Sequence, residues 1–288
     1  MKTYLDCIPC FLRQALEASR MATEDEAVRR KVIESVMERL PRLSFDVSPP
    51  EIAQVVHGLI KEITGELDPY REIKKKHNEI LLKLYSPLKE TVKNSQDRLL
   101  TATKMAIAGN VIDLGVQNEI KNIEDSICRV LSSNLVIDYY REFKEALINS
   151  GFVLYLGDNA GEIVLDMILI EEIKRMKDIE IVFLVRGGPI INDVTMEDAK
   201  LVGMSDVVRV VSNGSDAPAT ILSQCSSEIL ELFSRTDMIV SKGQGNYESL
   251  SEEDRIFFLL KAKCPVVARE LGVNIGDAIL MGNSFREA

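Results

Sequence analysis

Residues 151–162 read Gly-Phe-Val-Leu-Tyr-Leu-Gly-Asp-Asn-Ala-Gly-Glu, and this stretch decides the fold class. Its apolar run is typical of a buried strand that ends at Gly157, and a helix is predicted to begin a few residues later. In an open sheet of parallel strands, ligands bind outside the carboxyl ends of the strands. Asp158 and Asn159 therefore occupy the position at which such a fold carries its chemistry.

The strand-then-helix pattern recurs along the second half of the chain. Alternating strands and helices predict a mostly parallel sheet with helices on both faces, an α/β fold. The predicted strands are 152–156, 180–185, 207–211, 237–241 and 265–268, and the predicted helices lie near 161–176, 194–203, 217–233 and 250–262.

Residues before 150 show helical periodicity instead. We therefore divide the chain into a helical domain (1–95), a helical segment that bridges to the active site (96–149), and a Rossmann-like catalytic domain (150–288). The lysine run at Lys74–Lys76 predicts a solvated helix face in the first domain.

Composition narrows the class of function. The 288 residues carry a formal net charge of −10, which disfavours nucleic acid as a partner. An N-terminus without the apolar core of a signal peptide, and the lack of an apolar run of about 20 residues, predict a cytoplasmic protein without a membrane partner. Because the chain has only two histidines, any metal site should rest mainly on oxygen ligands, which suits Mg²⁺ or Mn²⁺. The oligomeric state stays open.

Polar residues follow three of the predicted strands. Besides Asp158 and Asn159, Arg186 and Asp193 follow the second strand, and Lys242 precedes Gly243 after the fourth. Each feature has an ordinary explanation, since Asp193 could cap a helix and glycines form turns. At one edge of one sheet, however, two carboxylates and an amide could hold a divalent cation, while Arg186, Lys242 and the main chain at Gly243 could bind a phosphate.

Two further features are ambiguous. Asn110 and Asp113 are three residues apart and would share one helix face, where they could either bond to local backbone or face the catalytic cleft. Cys7 and Cys10 form a CxxC motif that could have a thiol role or hold a second metal, or could be an incidental buried pair. Cys128, Cys225 and Cys264 are isolated along the sequence.

Together these motifs resemble the damage-control phosphatases, a family long classed as a domain of unknown function and also linked to a protein-carboxyl methyltransferase activity. The CxxC motif is similar to that of the subfamily common in archaea and some bacteria. The matching motifs are Cys7-Ile-Pro-Cys10, Gly109-Asn110-Val-Ile-Asp113, Gly157-Asp158-Asn159-Ala-Gly161-Glu162, Ile191-Asn192-Asp193-Val194-Thr195 and Lys242-Gly243-Gln244-Gly245-Asn246.

The resemblance implies a helical N-terminal domain over a three-layer α/β/α sandwich. It implies one divalent metal (Mg²⁺, Mn²⁺, Co²⁺ or Ni²⁺) bound by Asp158, Asn159 and Asp193. It also implies substrate or phosphate contacts at Lys242 and around Asn110 and Asp113. Its members hydrolyse small phosphorylated metabolites, including sugar phosphates.

Our hypothesis for the mechanism gives Asp158 a catalytic role as metal ligand, with covalent nucleophile as an alternative. Asp113 or Glu162 would orient the attacking water, and Asn110, Arg186, Lys242 and Gly243 would bind the substrate. Two other classes of function stay open at this point, an S-adenosylmethionine-dependent carboxyl methyltransferase and a non-catalytic metal or thiol binding module.

Overall fold

The centre of the computed structural model, which describes residues 1–109 and 120–283, is a mostly parallel sheet. Within these residues the strand order is β1-β7-β6-β5-β2-β3-β4, and only β6 and β7 pair antiparallel. The predicted α/β fold with a mostly parallel sheet is thus confirmed. The strands are β1 (Ile137–Asp138), β2 (Phe152–Leu156), β3 (Glu180–Val185), β4 (Arg209–Ser212), β5 (Met238–Lys242), β6 (Ile256–Lys261) and β7 (Ala278–Gly282).

Helices cover both faces of the sheet, because side chains alternate between the two faces along each strand. Val153 and Tyr155 of β2 pack in one core with α4, α5 and α8, whereas Leu154 and Leu156 pack in another with α11, α12 and α13. The helices are α1 (Ile8–Ala22), α2 (Glu26–Arg39), α3 (Pro49–Thr64), α4 (Arg71–Lys93), α5 (Arg98–Ala108), α6 (Ile120–Ser132), α7 (Tyr140–Asn149), α8 (Glu162–Met176), α9 (Met196–Val202), α10 (Met204–Val207), α11 (Ser227–Arg235), α12 (Gly243–Leu250) and α13 (Pro265–Leu271).

A separate hydrophobic core holds the N-terminal helices together. Helices α1, α2 and α3 each contribute side chains to it, for example Phe11, Val36 and Ile60. The side chains of α4 instead share the core of the sheet, as Leu81 and Leu88 show. The domain boundary at residue 95 stays a prediction, and the packing of α4 favours a boundary before residue 71.

Helix α4 also differs from its predicted surface. Lys75 and Lys76 are exposed, but Lys74 is buried and its Nζ atom lies 2.9 Å from Asp68 and 3.5 Å from Asp198. The prediction of a solvated lysine run is therefore wrong at Lys74, because a charged residue can be buried where carboxylates pair with it.

The last part of the sheet departs most from the sequence-based expectation. Residues 265–268 were expected as a strand but begin α13, with Pro265 in its first turn and Gly272 in the left-handed conformation after its end. Residues 256–261, expected inside a helix, form the buried strand β6. A short apolar run fits either element, and the helix-start proline and helix-end glycine are the signals that decide for α13.

No helix in residues 1–109 and 120–283 has the length and apolar character that crossing a bilayer requires.

Candidate active site

Main-chain pairing brings the three predicted metal ligands together. The N–H group of Val194 donates to the carbonyl oxygen of Asp158 at 2.8 Å, and Asn159 pairs with Asp193 in an antiparallel bridge. The loops after β2 and β3 are thus held against each other by backbone hydrogen bonds. Asp158, Asn159 and Asp193 share one edge of the sheet, at the carboxyl ends of its strands.

Arg186, at the end of β3, is buried beneath this edge, with 1% of its surface exposed. Its Nε atom donates to Asp193 Oδ2 at 2.7 Å, and its Nη2 atom lies 3.9 Å from Asp158 Oδ1. The rest of the guanidinium donates to Thr220 Oγ1 at 3.3 Å and to Asn246 Oδ1 at 3.4 Å. Arg186 therefore holds the carboxylate of Asp193 in one orientation.

Lys242, at the end of β5, is fully buried in a second charged network. Its Nζ atom donates to Glu162, to Asp166 Oδ1 at 2.7 Å and to the carbonyl oxygen of Ala106 at 2.9 Å. The hydroxyl of Tyr155 donates to the same Asp166 oxygen at 2.7 Å. Burial alone would lower the pKa of Lys242, but the two carboxylates raise it above its ordinary value, so the lysine stays charged.

Gly243 allows the start of α12 to approach the Asp158 carboxylate closely. Its φ is +80°, a left-handed conformation, and a Cβ atom at this position would overlap the Asp158 side chain. Asn246, one turn into α12, donates to the carbonyl oxygens of Lys242 at 2.8 Å and Gly157 at 3.2 Å, which ties β5 to the end of β2.

The carboxylates at this edge repel one another. Burial first, then repulsion from Glu162 and Asp193, raises the pKa of Asp158 to about 7, although Lys263 and Arg186 act in the opposite direction. Burial also raises the pKa of Asp193, against the lowering effect of Arg186. Negative charge at this point is therefore costly until a proton or another cation offsets it.

A divalent cation would relieve this repulsion, and the oxygen donors fit a hard ion such as Mg²⁺ or Mn²⁺. In the described part of the chain, no three His, Cys, Asp or Glu side chains are grouped to hold a metal by themselves. The predicted metal site would therefore combine Asp158 and Asp193 with the Oδ1 atom of Asn159. In the present conformation Asn159 turns Nδ2 toward Asp158 Oδ2, at 2.6 Å, and toward Glu162 Oε2, at 3.3 Å.

A cavity of about 530 Å³ opens beside the three predicted ligands. Asp158, Asn159 and Asp193 line it, and so do Cys7, directly before α1, and Cys10 of α1. A cavity of this volume suits a small-molecule ligand. Among the described residues, the buried side chains of Glu162, Arg186 and Lys242 lie outside its lining.

With this geometry in place, the similarity to known proteins can be interpreted. The sequence model of a protein family, described as the damage-control phosphatase ARMT1-like domain, matches residues 3–279. The chain belongs to the damage-control phosphatase family. It is 40% identical to an uncharacterized protein of Methanocaldococcus jannaschii, over 96% of this chain and 94% of that protein.

It is also 37% identical to a damage-control phosphatase of Pyrococcus horikoshii, over 99% of this chain and 100% of that protein. The crystal structure of a DUF89 family protein from Pyrococcus horikoshii superposes with a TM-score of 0.92 at 36% identity, covering 98% of this chain and 99% of that one. The family predicted from the sequence motifs is thus confirmed.

The CxxC motif of this damage-control phosphatase family member is joined by a third thiol. Cys264, isolated in the sequence, lines the same cavity as Cys7 and Cys10, and all three are half-buried free cysteines. Burial, together with the nearby Glu248 and the other two cysteines, raises the pKa of the Cys7 thiol. The thiol or second-metal role of Cys7 and Cys10 stays a prediction.

Asn78 is a residue of the site's surroundings that the sequence reasoning missed. It is fully buried on α4, its Oδ1 atom accepts from the N–H of Gly161 at 2.6 Å, and its Nδ2 atom donates to Asp198 Oδ1 at 2.9 Å. The signal was its spacing, because it lies four residues after Lys74 and three before Leu81, which are buried on the same face of the helix. Asn110 and Asp113, predicted to contact substrate and water, lie outside the described residues.

Proposed function

We propose that this protein hydrolyses the phosphate monoester of a small metabolite, using one divalent metal ion bound by Asp158, Asn159 and Asp193. The observation that carries this proposal is the main-chain pairing that sets these three residues side by side at a cavity of about 530 Å³. Membership of the damage-control phosphatase family supports the reaction class and a role in metabolite repair. The ion would be Mg²⁺, Mn²⁺, Co²⁺ or Ni²⁺.

A bound divalent ion would offset the charge of the phosphate oxygens and so ease attack at phosphorus. The protein's own residues hold the site in shape for this reaction. Arg186 keeps the Asp193 carboxylate in place, and Glu162 contacts the amide of Asn159 at the same time as Lys242. We assign Arg186, Glu162 and Lys242 to positioning, because their side chains are buried and hydrogen-bonded to other protein groups.

Asp158 lines the cavity, and its pKa is raised to about 7. Its carboxylate is a metal ligand in this scheme, and Gly243 lets it lie against the start of α12. A covalent role of Asp158 remains the alternative mechanism within the same reaction class.

The substrate we propose is a sugar phosphate or a related damaged phosphometabolite, acted on in the cytoplasm without nucleic acid or membrane. The methyltransferase and the non-catalytic binding module stay predictions that gain no support from the described residues.

A screen of phosphorylated metabolites against Mg²⁺, Mn²⁺, Co²⁺ and Ni²⁺ tests the proposal. We expect phosphate release that depends on an added ion and is abolished by Asp158→Ala, which removes a ligand, and by Asp193→Asn, which removes the negative charge of a ligand. Asp125→Asn, an exposed carboxylate on α6, is the matched control and should leave release unchanged. Full activity of Asp158→Ala, or release that survives a chelator, would contradict the scheme.

A further inference from the structure

Three cysteines line the cavity although they are far apart along the chain. All five cysteines lie within the described residues and are free, and those that line the cavity are Cys7, Cys10 and Cys264. Each of these three thiols is half-buried, so its sulfur is shielded from the bulk solvent but open to a small reagent in the cavity. The proposed hydrolysis uses none of them, and we call them the thiol cluster.

The start of α1 places Cys7 and Cys10 of this cluster on one face of the helix. Cys7 comes directly before α1, and Cys10 is the third residue of the helix. Side chains three residues apart on a helix are neighbours, so the two sulfurs can approach each other by rotation of their side chains. A disulfide between them would close a very short ring, and short rings stabilise a fold least. Such a bond suits reversible exchange better than a structural role.

The surroundings of Cys10 suit the thiol that attacks in such an exchange. The Nε2 atom of Gln14 donates to Cys10 Sγ at 3.4 Å, and the Nη2 atom of Arg13 lies 3.9 Å from the same sulfur. Both residues lie one turn further along α1, on the face that carries Cys10. The species that attacks a disulfide is the thiolate, whose negative charge needs a nearby cation or donor. Cys10 has both.

The other two thiols have surroundings that disfavour a thiolate. Burial raises the pKa of Cys7, and Glu248 and the two other cysteines act in the same direction. Burial also raises the pKa of Cys264, again with Glu248 acting in the same direction. The sulfur of Cys264 is already engaged, because it accepts from Gln244 Nε2 at 3.3 Å and from a main-chain N–H in α13 at 3.4 Å. Cys10 is therefore the nucleophile, and Cys7 is its free neighbour on the helix.

We propose that Cys7 and Cys10 form a thiol–disulfide exchange site for a low-molecular-weight disulfide, RSSR, that enters the cavity. The Cys10 thiolate attacks one sulfur of RSSR, so that a bond from Cys10 to SR forms and RS⁻ leaves. Cys7 then attacks the Cys10 sulfur, the bond to SR breaks, and the disulfide of Cys7 and Cys10 forms as a second RS⁻ leaves. Two electrons pass from the two protein thiols to RSSR, and the two thiol protons end on the released RSH.

The second step has a consequence for the cavity. While SR is attached to Cys10, it occupies space beside the predicted metal ligands, since both line the same cavity. The disulfide of Cys7 and Cys10 adds no atoms to the cavity, so its formation removes the obstruction. The pair therefore clears a modified thiol from the cavity, a role that goes beyond the proposed hydrolysis and does not depend on it.

Mass spectrometry of the reduced full-length protein tests this site after incubation with bis(2-hydroxyethyl) disulfide and alkylation with N-ethylmaleimide in denaturant. Trypsin releases residues 3–13 as one peptide, which contains Cys7 and Cys10 and no other cysteine. In the wild type we expect this peptide to lose two hydrogens and to take up no maleimide. Cys7→Ser should instead accumulate the mixed disulfide on Cys10, because the second thiol is missing. In Cys10→Ser the mixed disulfide on Cys7 should form at least about tenfold more slowly.

Cys264→Ser and Cys128→Ser are the controls, and neither should change the disulfide within residues 3–13 or the rate at which it forms. A bond from this peptide to Cys264, or equal rates of mixed-disulfide formation in Cys7→Ser and Cys10→Ser, would overturn the proposal. So would Zn²⁺ that the purified wild type retains and both serine variants lose, because the thiols would then be metal ligands. Phosphate release is not measured in this experiment, so its result is separate from the test of the proposed function.

Discussion

At the scale of single residues, the site depends on one very close approach. The main chain at Gly243 passes against the Asp158 carboxylate with no room for a Cβ atom. The same glycine has a left-handed φ of +80°, so both space and backbone conformation require it.

Gly243→Ala should therefore displace Asp158 and weaken metal binding and turnover by about 10–100-fold, the range found when the support of a ligand is removed. Metal calorimetry and a phosphate-release assay would measure the two effects. Gly65→Ala is the matched control, because Gly65 has a φ of +74° but open space around its Cβ position. Equal losses in both variants would show that backbone strain, and not the overlap with Asp158, is the cause.

The raised pKa of Asp158 makes a second prediction at this scale. Burial and repulsion from Glu162 and Asp193 raise it to about 7, so below that pH the folded protein holds a proton that a metal must displace. Metal affinity should thus fall by up to about tenfold per pH unit below about 7 and level off above it. Calorimetric titrations with Mn²⁺ between about pH 5.5 and pH 8.5 would measure this, and a flat profile would contradict it.

At the scale of elements, α4 links the helical region to the site. Asn78 connects the N–H of Gly161, just before α8, to Asp198, which caps α9 through Thr195. One buried amide therefore sets the position of two helices that follow β2 and β3. Its oxygen and nitrogen both have partners, so no isosteric apolar residue could replace it without leaving buried polar groups unpaired.

Asn78→Leu should lower the free energy of unfolding by about 1–3 kcal/mol for each buried group left unpaired. Urea denaturation would measure the loss, and turnover should fall with it because the Asp158 loop loosens. Asn94→Leu provides the comparison on the same helix, since Asn94 is exposed at the end of α4. A wild-type denaturation midpoint for Asn78→Leu would contradict the linking role.

How much could be predicted from the sequence also depends on the element. Strands β2 and β3 were predicted with their observed bounds, because long apolar runs end there at glycine or at a charged residue. Asp158 and Asn159 could be predicted as site residues because they come directly after β2, at the edge of the sheet where such folds bind ligands. Sequence could not show that Lys242 and Arg186 point into buried networks, since a charged residue at a strand end gives no side-chain direction. The sequence also could not show that Lys263 and Cys264 line the cavity. They lie in the turn after β6, and β6 was predicted as part of a helix.

At the scale of the whole molecule, the cavity lies between the N-terminal helices and the sheet edge. Its walls include Pro50 of α3 and Cys10 of α1 as well as the predicted metal ligands. The helical region therefore supplies part of the cavity, and the chemistry of α1 should affect turnover although its residues are remote in sequence from Asp158.

Alkylation of the cavity thiols should test this arrangement. A group attached to Cys7, Cys10 or Cys264 would occupy the cavity and lower turnover, and a variant with all three changed to serine should be markedly less sensitive. Because burial raises the pKa of Cys7, its reaction with iodoacetamide should be slow at pH 7 and accelerate at higher pH. Cys128→Ser, which removes an exposed thiol on α6, should give no protection, and inhibition that is unchanged in the triple variant would contradict the prediction.

The pairing between the loops after β2 and β3 should also restrict the ionic radius that the predicted metal site accepts. The main chains at Asp158 and Asp193 are held together by the hydrogen bond from Val194 to Asp158. Ca²⁺ takes six to eight oxygen ligands at about 2.3–2.6 Å, whereas Mg²⁺ needs only six at about 2.0–2.1 Å. We expect Ca²⁺ to displace Mn²⁺ poorly in competition calorimetry, and equal competition would show that the gap between the loops is adjustable. If Ca²⁺ competes poorly, backbone hydrogen bonds, and not side-chain identity alone, determine which divalent ions the site accepts.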